Sequence, residues 1–305
     1  MYLKSNFSKA ALAVVASLSL WGCKEKVAGF DTTPVIARDT TYVAAVEAPQ
    51  WRRVLIEEFT GVSCGPCPQG HRLIDAILAE HYNSTEKFDS VSVIGIQSTG
   101  IPQAEPVHEE LDGNFYSSKH DNRTADGSEL YNAVYGTFGS IPQAGIDRIP
   151  SAGKLNLPKD IWAGNVNTRL RVPSAVNITL SSIYNASTRQ AVINVHIAYT
   201  GRVDKKQNLN LALIENDVID AQKNGLDIDS VYHHEHVLRD MITAASGSPM
   251  LGSIASKEPG RVYDRTFIYD VDAAWVPDNC RLIAYVTNNE GADVEVQQAA
   301  EISLK

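Results

Sequence analysis

The C-terminal part of this sequence alternates apolar and polar residues, which restricts it to strands. Val176, Ile178 and Leu180 are separated by single polar residues, and the same period of two recurs at 193–199 and 209–213. Successive side chains of a strand point to opposite faces, so each segment predicts a strand with one buried face. Several short strands of this kind predict an all-β, Ig-like antiparallel sandwich for this part of the chain. Further strands are expected at 262–271, 281–287 and 294–304.

The preceding part has the pattern of a strand, a helix and a second strand. Apolar runs at Val54–Phe59 and 91–96 predict buried strands, and apolar residues recur at helical spacing within 73–78. Strand, helix and strand in this order predict a right-handed βαβ unit. The hydrophobic period changes near residue 172, so we predict domains at 49–172, with an insertion, and at 173–305.

Two cysteines lie at the junction of the first strand and the helix, in the run Cys64-Gly65-Pro66-Cys67. A helix N-terminus favours negative charge, and therefore the reactive thiolate. The pair is a redox couple, a static disulfide or half of a metal site. A zinc site requires about four ligands, and the sequence has no second C-x-x-C and no nearby His pair, so no metal or other cofactor is predicted. Cys64 and Cys67 close too short a loop to restrict the unfolded chain much, which favours the redox couple.

The N-terminal residues have the features of an export signal. Two lysines precede the apolar run 10–21, which is shorter than the roughly 20 residues of a membrane span. The run ends at Leu20-Trp21-Gly22-Cys23, which resembles a bacterial lipobox, whose cysteine is lipidated and becomes the first mature residue. We therefore predict a signal peptide at 1–22, a lipid on Cys23 and a tether at 23–48.

The predicted anchor and the charge bear on location and partners. No aspartate follows Cys23 in Lys24-Glu25-Lys26, so nothing suggests retention at the inner membrane, and we expect a lipid-anchored protein on the cell-surface or periplasmic face of the outer membrane. The formal net charge of −9 argues against nucleic-acid binding and against docking onto anionic lipid by charge. The sequence determines neither the oligomeric state nor the substrate.

The segment Val54–Cys67 resembles the active-site strand and turn of the thioredoxin superfamily. Glu58 stands where that superfamily carries a buried acid, and Ile141-Pro142 matches its cis-proline. More narrowly, Glu57–Gly61 together with Cys67-Pro68 resembles a Bacteroidetes outer-membrane lipoprotein family, whose members join a thioredoxin-like domain to a β-sandwich. The resemblance implies an α/β thioredoxin-like domain followed by an all-β Ig-like antiparallel sandwich domain.

The resemblance also implies a separate role for each site residue. Cys64, the more exposed cysteine, would attack a substrate disulfide, and Cys67 would resolve the mixed disulfide. Glu58, if buried, would have a raised pKa and would accept the proton from Cys67. Pro142 in cis would expose the backbone of Ile141 to an extended substrate peptide.

Four other features have ordinary structural interpretations. Glu57 is expected to be exposed, because it faces the side of the strand opposite to Glu58. Cys280 lies in a strand-like run and is predicted to be a small buried hydrophobic residue. His71 is predicted to be a surface histidine. The cluster His233-His234-Glu235-His236 predicts a polar turn or an edge strand, because two histidines on one face still lack a third metal ligand.

Two functions follow from these features. The first is thiol–disulfide exchange on envelope proteins, as a reductase or isomerase, since Gly65-Pro66 and Ile141 resemble the reducing branch of the superfamily. The second is a non-enzymatic surface lipoprotein or adhesin, which binds a partner through the predicted sandwich. The second is kept because a reductase on the outer surface requires an electron donor, and the sequence identifies none.

Overall fold

Strands account for most of the regular structure. The computed structural model describes residues 34–83 and 88–305, of which 46% lie in strands and 15% in helices. No helix within these ranges has both the length and the apolar character that crossing a membrane requires. The predicted signal peptide 1–22 and the predicted lipidation site Cys23 lie outside the described residues.

The strands are numbered in chain order. They are β1 (Val35–Val43), β2 (Val54–Phe59), β3 (Tyr82–Asn83), β4 (Phe88–Asp89), β5 (Val91–Ile96), β6 (His108–Leu111), β7 (Asn114–Ser117), β8 (Gln143–Ile146), β9 (Leu157–Pro158), β10 (Val176–Asn185), β11 (Gln190–Tyr199), β12 (Gln207–Glu215), β13 (Val218–Asn224), β14 (Asp227–His234), β15 (Val237–Met241), β16 (Ser248–Met250), β17 (Arg261–Asp270), β18 (Cys280–Asn288) and β19 (Val296–Ser303).

The helices are shorter in total. They are α1 (Cys67–His81), α2 (Ala125–Glu129) and α3 (Trp162–Arg169), with 3₁₀ turns at Pro102–Ala104 and Lys159–Ile161 and a π-helical turn at Leu130–Val134. Pro66 and Pro68 flank the first residue of α1, where a missing N–H is tolerated because the first turn has no internal partner for it. Ile74 and Ile77 of α1 are buried and pack against β2 and β5.

Two sheets contain most of the strands. The larger has the order β19-β18-β12-β15-β5-β2-β8-β9, and β16 also pairs with β12. In it, β2 with β5 and β5 with β15 are parallel pairs, whereas the other pairs are antiparallel. The smaller sheet has the order β1-β17-β11-β10 and is antiparallel. The pairs β3–β4, β6–β7 and β13–β14 form separate two-stranded sheets.

The main core lies between the two sheets. Alternate residues of β10, β11 and β17 pack with alternate residues of β12 and β18. Ile193, Val195 and Ile197 are at most 1% exposed, so the period-two pattern produces the expected buried face. Strands β12 and β18 are also buried on their second face, where Ile214 and Ile283 pack in one cluster with residues of β2 and β5.

The predicted fold class, an α/β thioredoxin-like domain followed by an all-β Ig-like antiparallel sandwich domain, is wrong. The expected strand–helix–strand unit is present as β2, α1 and β5, but its strands belong to a largely antiparallel sheet. Val237 of β15 pairs with Gly95 of β5, and β12, β18 and β19 continue that sheet. The fold is mostly β because long-range pairing, which local periodicity does not encode, joins the two patterns. The division at residue 172 stays a prediction.

Candidate functional site

The two predicted site cysteines form a disulfide at the start of α1. The Sγ atoms of Cys64 and Cys67 are 2.05 Å apart. The N–H of Cys67 donates to the carbonyl oxygen of Cys64 at 3.2 Å, so the turn leads directly into the helix. Cys64 is 1% exposed and Cys67 is 0% exposed. The expectation that Cys64 is the more accessible sulfur is therefore not met in the oxidised protein.

The disulfide is buried because the β13–β14 hairpin lies over its turn. The N–H of Gly225, at the hairpin tip, donates to the carbonyl oxygen of Gly65 at 2.9 Å, and that of Lys223 donates to Val62 at 2.8 Å. A Cβ atom on Gly65 would lie only 2.6 Å from the Gly225 oxygen. The close approach of the two backbones thus requires glycine between the cysteines.

A buried glutamine of the hairpin adds side-chain contacts to the same turn. Nε2 of Gln222 donates to the carbonyl oxygens of Gly61 at 3.2 Å and Cys64 at 3.1 Å, and Gln222 is fully buried. Sequence analysis missed this residue. The dipeptide Asn224-Gly225 is a recognisable hairpin signal, but no local pattern indicates where that hairpin packs.

The predicted cis-proline lies beside the disulfide. The Ile141–Pro142 peptide bond is cis, and the carbonyl oxygen of Ile141 is 3.8 Å from Sγ of Cys64. A Cβ atom on Gly70 of α1 would lie 3.1 Å from Pro142 and 2.8 Å from Oε1 of Glu58. The structure thus brings all four predicted site residues to one end of α1.

Glu58 is a buried carboxyl group without full hydrogen bonding. It is 3% exposed, and its Oε1 atom has no hydrogen-bond partner among the described residues. Burial, and secondarily the charge of Asp75, raises the pKa of Glu58 well above its ordinary value. A raised pKa makes this carboxyl group a better proton acceptor than an exposed glutamate, which is the property that the predicted role requires.

His71 is half-buried and hydrogen-bonded within the protein, so it is not the free surface histidine that was predicted. Its Nδ1 atom is 2.7 Å from the Tyr232 hydroxyl, and its Nε2 atom is 2.8 Å from Oγ1 of Thr60 and 3.9 Å from Oε2 of Glu58. Burial lowers the pKa of His71 to about 3, so the ring is neutral. The β13–β14 hairpin therefore contacts the site at two places: β13 and the hairpin tip at the cysteine turn, and Tyr232 of β14 next to His71.

The histidines of the cluster at the end of β14 lie in different environments and do not share one face. His234 is buried, whereas His233 is exposed and lies 2.5 Å from Asp217. His236 follows the strand with a positive φ of 59°, so it does not continue the strand face of His234. Across residues 34–83 and 88–305, no group of three or more His, Cys, Asp or Glu residues is placed to hold a metal ion.

Glu57 is buried as well, so the prediction that it is exposed is wrong. It is 1% exposed and accepts two hydrogen bonds from the Arg148 guanidinium, at 2.7 and 2.8 Å. The Tyr135 hydroxyl donates a third at 2.6 Å. Alternation fails here because β2 lies inside the sheet with both faces covered, and a buried carboxylate then requires a charged partner.

Cys280 is buried, as predicted, and it is a free thiol. It lies in β18 within the core between the sheets, whereas Cys64 and Cys67 belong to a different core cluster. Burial raises the pKa of its thiol to about 12, so Cys280 lacks the thiolate character of a redox cysteine.

A large cavity is lined in part by the segment that precedes Pro142. It has a volume of about 1050 Å³, and its walls come from residues 133–140, 153–156, 287–289 and 291–292 together with separate positions. Amide side chains line it, including Gln143, whereas its charged residues are Arg148 and Lys154. Because Arg148 is already paired with a buried carboxylate, the groove is nearly neutral.

The comparisons with known proteins concern the family and the fold. Residues 128–303 match the family model described as outer membrane protein Omp28. A solved structure, HBP35 of Porphyromonas gingivalis, is similar with a TM-score of 0.61 and 16% identity, over 86% of this chain and 77% of that chain. At this identity the similarity concerns the fold alone.

A second solved structure gives a much weaker match. The penta-heme cytochrome c552 from Thermochromatium tepidum aligns with a TM-score of 0.22 and 12% identity, over 65% of this chain and 61% of that chain. This similarity supports no conclusion. No curated protein matches the chain. The prediction of an outer-membrane family is confirmed by the family match, whereas these comparisons do not support the thioredoxin resemblance.

Proposed function

Because the chain belongs to the Omp28 outer membrane protein family, we propose that it is an envelope protein, anchored through a lipid on Cys23, that exchanges disulfides with protein substrates at Cys64 and Cys67. In this reaction the Cys64 thiolate attacks a substrate disulfide and one substrate thiolate leaves. Cys67 then attacks the Cys64 sulfur, which releases the second substrate sulfur and restores the intramolecular disulfide. Two electrons and two protons pass to the substrate.

The observation that carries this proposal is Glu58. A carboxyl group that is 3% exposed with an unpartnered oxygen costs about 1–3 kcal/mol in unsatisfied hydrogen bonding. A static disulfide would not require a buried carboxyl group of this kind. A redox pair would require such a group, because a proton must leave the Cys67 thiol when the disulfide forms, and a buried acid with a raised pKa can accept and release it.

Exchange at this site requires the β13–β14 hairpin to open. Both cysteines are buried beneath Gly225 and Gln222, and a substrate sulfur must approach in line with the attacked sulfur. The closed hairpin therefore keeps the disulfide inert, and a substrate that displaces the hairpin gains access.

The test uses the purified full chain, reduced and then freed of reductant. It is mixed with a disulfide-containing protein, and the thiols of both are trapped by alkylation and counted by mass spectrometry. We expect exchange by the wild type and by Cys280→Ser, and none by Cys64→Ser. A wild-type rate no greater than that of free dithiothreitol at equal thiol concentration would refute the enzymatic proposal.

A second candidate function is non-enzymatic binding, and the neutral groove favours it. Gln143, Asn156 and Asn289 line the groove, and amides donate and accept hydrogen bonds as sugar hydroxyls do. The expected partner is an uncharged oligosaccharide of a cell or envelope surface. An array of neutral and acidic glycans tests this. Binding of neutral glycans should weaken at least tenfold in Asn289→Ala and persist in Cys64→Ser; the absence of any neutral ligand contradicts it.

A further inference from the structure

The buried acid of the site adjoins a small polar cavity. This cavity has a volume of about 50 Å³, enough for one or two water molecules, each of which occupies about 30 Å³ in the liquid. Glu58 contributes to its wall, together with exposed residues that include Asp75 and Glu235. The cavity therefore connects the carboxyl group with the surface of the protein.

Two further residues line this cavity and hydrogen-bond to each other. His71 lines the cavity with Nε2 3.9 Å from Oε2 of Glu58, and Tyr232 lines it with its hydroxyl 2.7 Å from Nδ1 of the same ring. A neutral imidazole has one donor and one acceptor nitrogen. If the Tyr232 hydroxyl donates to Nδ1, the Nε2–H donates to Oγ1 of Thr60 at 2.8 Å, and the ring is held in one orientation.

We propose that Tyr232 and His71 are positioning residues that control proton exchange between Glu58 and solvent. The inference rests on the proposed function. When Cys67 attacks the Cys64 sulfur of a mixed disulfide, its proton passes to Glu58, the new S–S bond forms, and the bond to the substrate breaks with its electron pair on the substrate sulfur. Glu58 then releases the proton to water in the cavity, at a place set by the His71 ring.

The position of Tyr232 gives the hairpin a second effect. Tyr232 is on β14, so displacement of the hairpin removes the hydroxyl from Nδ1 of His71 as well as Gly225 from Gly65. Water then enters beside Glu58, which lowers the pKa of that carboxyl group since its burial is relieved. Displacement of the hairpin thus favours the carboxylate form of Glu58 at the same time as the cysteines become accessible.

Other titratable groups face Glu58 and must be counted in any test. Asp75 of α1 raises the pKa of Glu58 through its charge. His233, Glu235 and His236, which follow Tyr232 in the chain, line the remainder of the cavity. In the part of the chain that the structure describes, Tyr232 is the hairpin residue that hydrogen-bonds to His71, so substitution of Tyr232 separates the proposed control from the charges of these groups.

The experiment titrates Glu58 in the full chain by ¹³C NMR of side-chain carboxyl groups. The resonance is assigned by its loss in Glu58→Gln. We expect Tyr232→Phe to move the Glu58 titration midpoint to lower pH by about one unit. Phenylalanine keeps the aromatic ring of residue 232 but lacks the hydroxyl that hydrogen-bonds to Nδ1 of His71. Tyr184→Phe, in β10, should leave the midpoint unchanged. An unchanged midpoint in Tyr232→Phe overturns the inference.

This titration needs no substrate, so it separates the two proposals. If the wild type exchanges no disulfides but Tyr232→Phe moves the Glu58 midpoint, the proposed function fails and the control of Glu58 stands. If the wild type is active and the midpoint does not move, the positioning role fails alone. In an active protein, Tyr232→Phe should also shift the pH profile of exchange in the same direction as the midpoint, and an unshifted profile contradicts the catalytic link.

Discussion

The N–H of Gly225 donates a 2.9 Å hydrogen bond to the carbonyl oxygen of Gly65. The β13–β14 hairpin, which is distant in sequence, thereby covers the turn between Cys64 and Cys67. The contact makes the accessibility of Cys64 depend on a segment that contributes no sulfur. Substitutions in the hairpin can therefore change the accessibility of the disulfide without altering either cysteine.

Gln222→Ala should accelerate reduction of the disulfide. The substitution removes the hydrogen bonds to the carbonyl oxygens of Gly61 and Cys64, and each buried hydrogen bond contributes about 0.5–1.5 kcal/mol. Local opening becomes easier by a similar amount, so reduction through the open state should be about tenfold faster. The rate is measured by alkylation after timed exposure of the native protein to a small reductant.

The matched control is Gln207→Ala, since Gln207 is also buried and accepts a hydrogen bond from Tyr199 in the core between the sheets. It should lower global stability without changing the reduction rate under native conditions. Equal acceleration by both variants would mean that global unfolding, not hairpin opening, exposes Cys64.

Gly65→Ala should destabilise the closed hairpin. Its Cβ atom would lie 2.6 Å from the carbonyl oxygen of Gly225, so one backbone must move, at a cost of about 1–3 kcal/mol in the free energy of unfolding. Gly139→Ala is the control because no atom lies within 4 Å of its added Cβ, and its effect should be under about 0.5 kcal/mol. Urea unfolding compares the two; equal effects contradict the steric account.

Arg148→Met should be among the most destabilising substitutions. It leaves the Glu57 carboxylate buried without its cation, which costs about 3–5 kcal/mol. Adding Glu57→Gln should recover part of the loss, because the unpaired charge is gone. Arg202→Met is the control, since its ion pairs are exposed and such pairs contribute under about 1 kcal/mol. A double variant less stable than Arg148→Met would refute this explanation.

Stability should depend on pH through Asp126. Burial, and to a smaller extent the charge of Asp240, raises the pKa of Asp126 from 3.8 to about 6, although the Met241 N–H donates to its carboxyl group. An acid whose pKa is raised in the folded state contributes its full stabilisation of the fold when the pH is below its pKa in the unfolded chain. That contribution is lost as the pH rises through its pKa in the folded state.

The substitution Asp126→Asn isolates this effect, because asparagine keeps the acceptor for Met241 and resembles the protonated acid. The variant should gain stability relative to the wild type as pH rises from 4 to about 6, with little further gain up to pH 7. Asp160→Asn, at an exposed position, should show no such trend. Denaturant unfolding at several pH values measures it, and parallel curves for wild type and Asp126→Asn rule it out.

The local elements of the fold could be predicted well. The run 91–96 coincides with β5, and the alternating segments 193–199 and 209–213 lie within β11 and β12. These predictions succeed because strand periodicity depends on neighbouring side chains only. The assembly of the elements could not be predicted in this way. Gly95 pairs with Val237, and nothing within either segment specifies that partner.

The site shows the same division. Glu58 and Pro142 were predicted to join the cysteines, and the structure places all of them at one end of α1. In contrast, Glu57 and His71 were predicted to be exposed. Glu57 is buried and His71 is half-buried, because Arg148 contacts Glu57 and Tyr232 of β14 contacts His71. Their exposure depends on segments far away in the chain.

The sequence by itself determined the chemical groups of this protein: two thiols within one turn, an acid on the preceding strand, and the period of the strands that follow. Tertiary structure alone decided that the β13–β14 hairpin covers the disulfide, through Gly225 and Gln222, and that Glu58 lies beside His71, which in turn contacts Tyr232. The physical reason is that periodicity reports which residues require burial. The segment that buries them is chosen by hydrogen bonds and packing between residues distant in sequence.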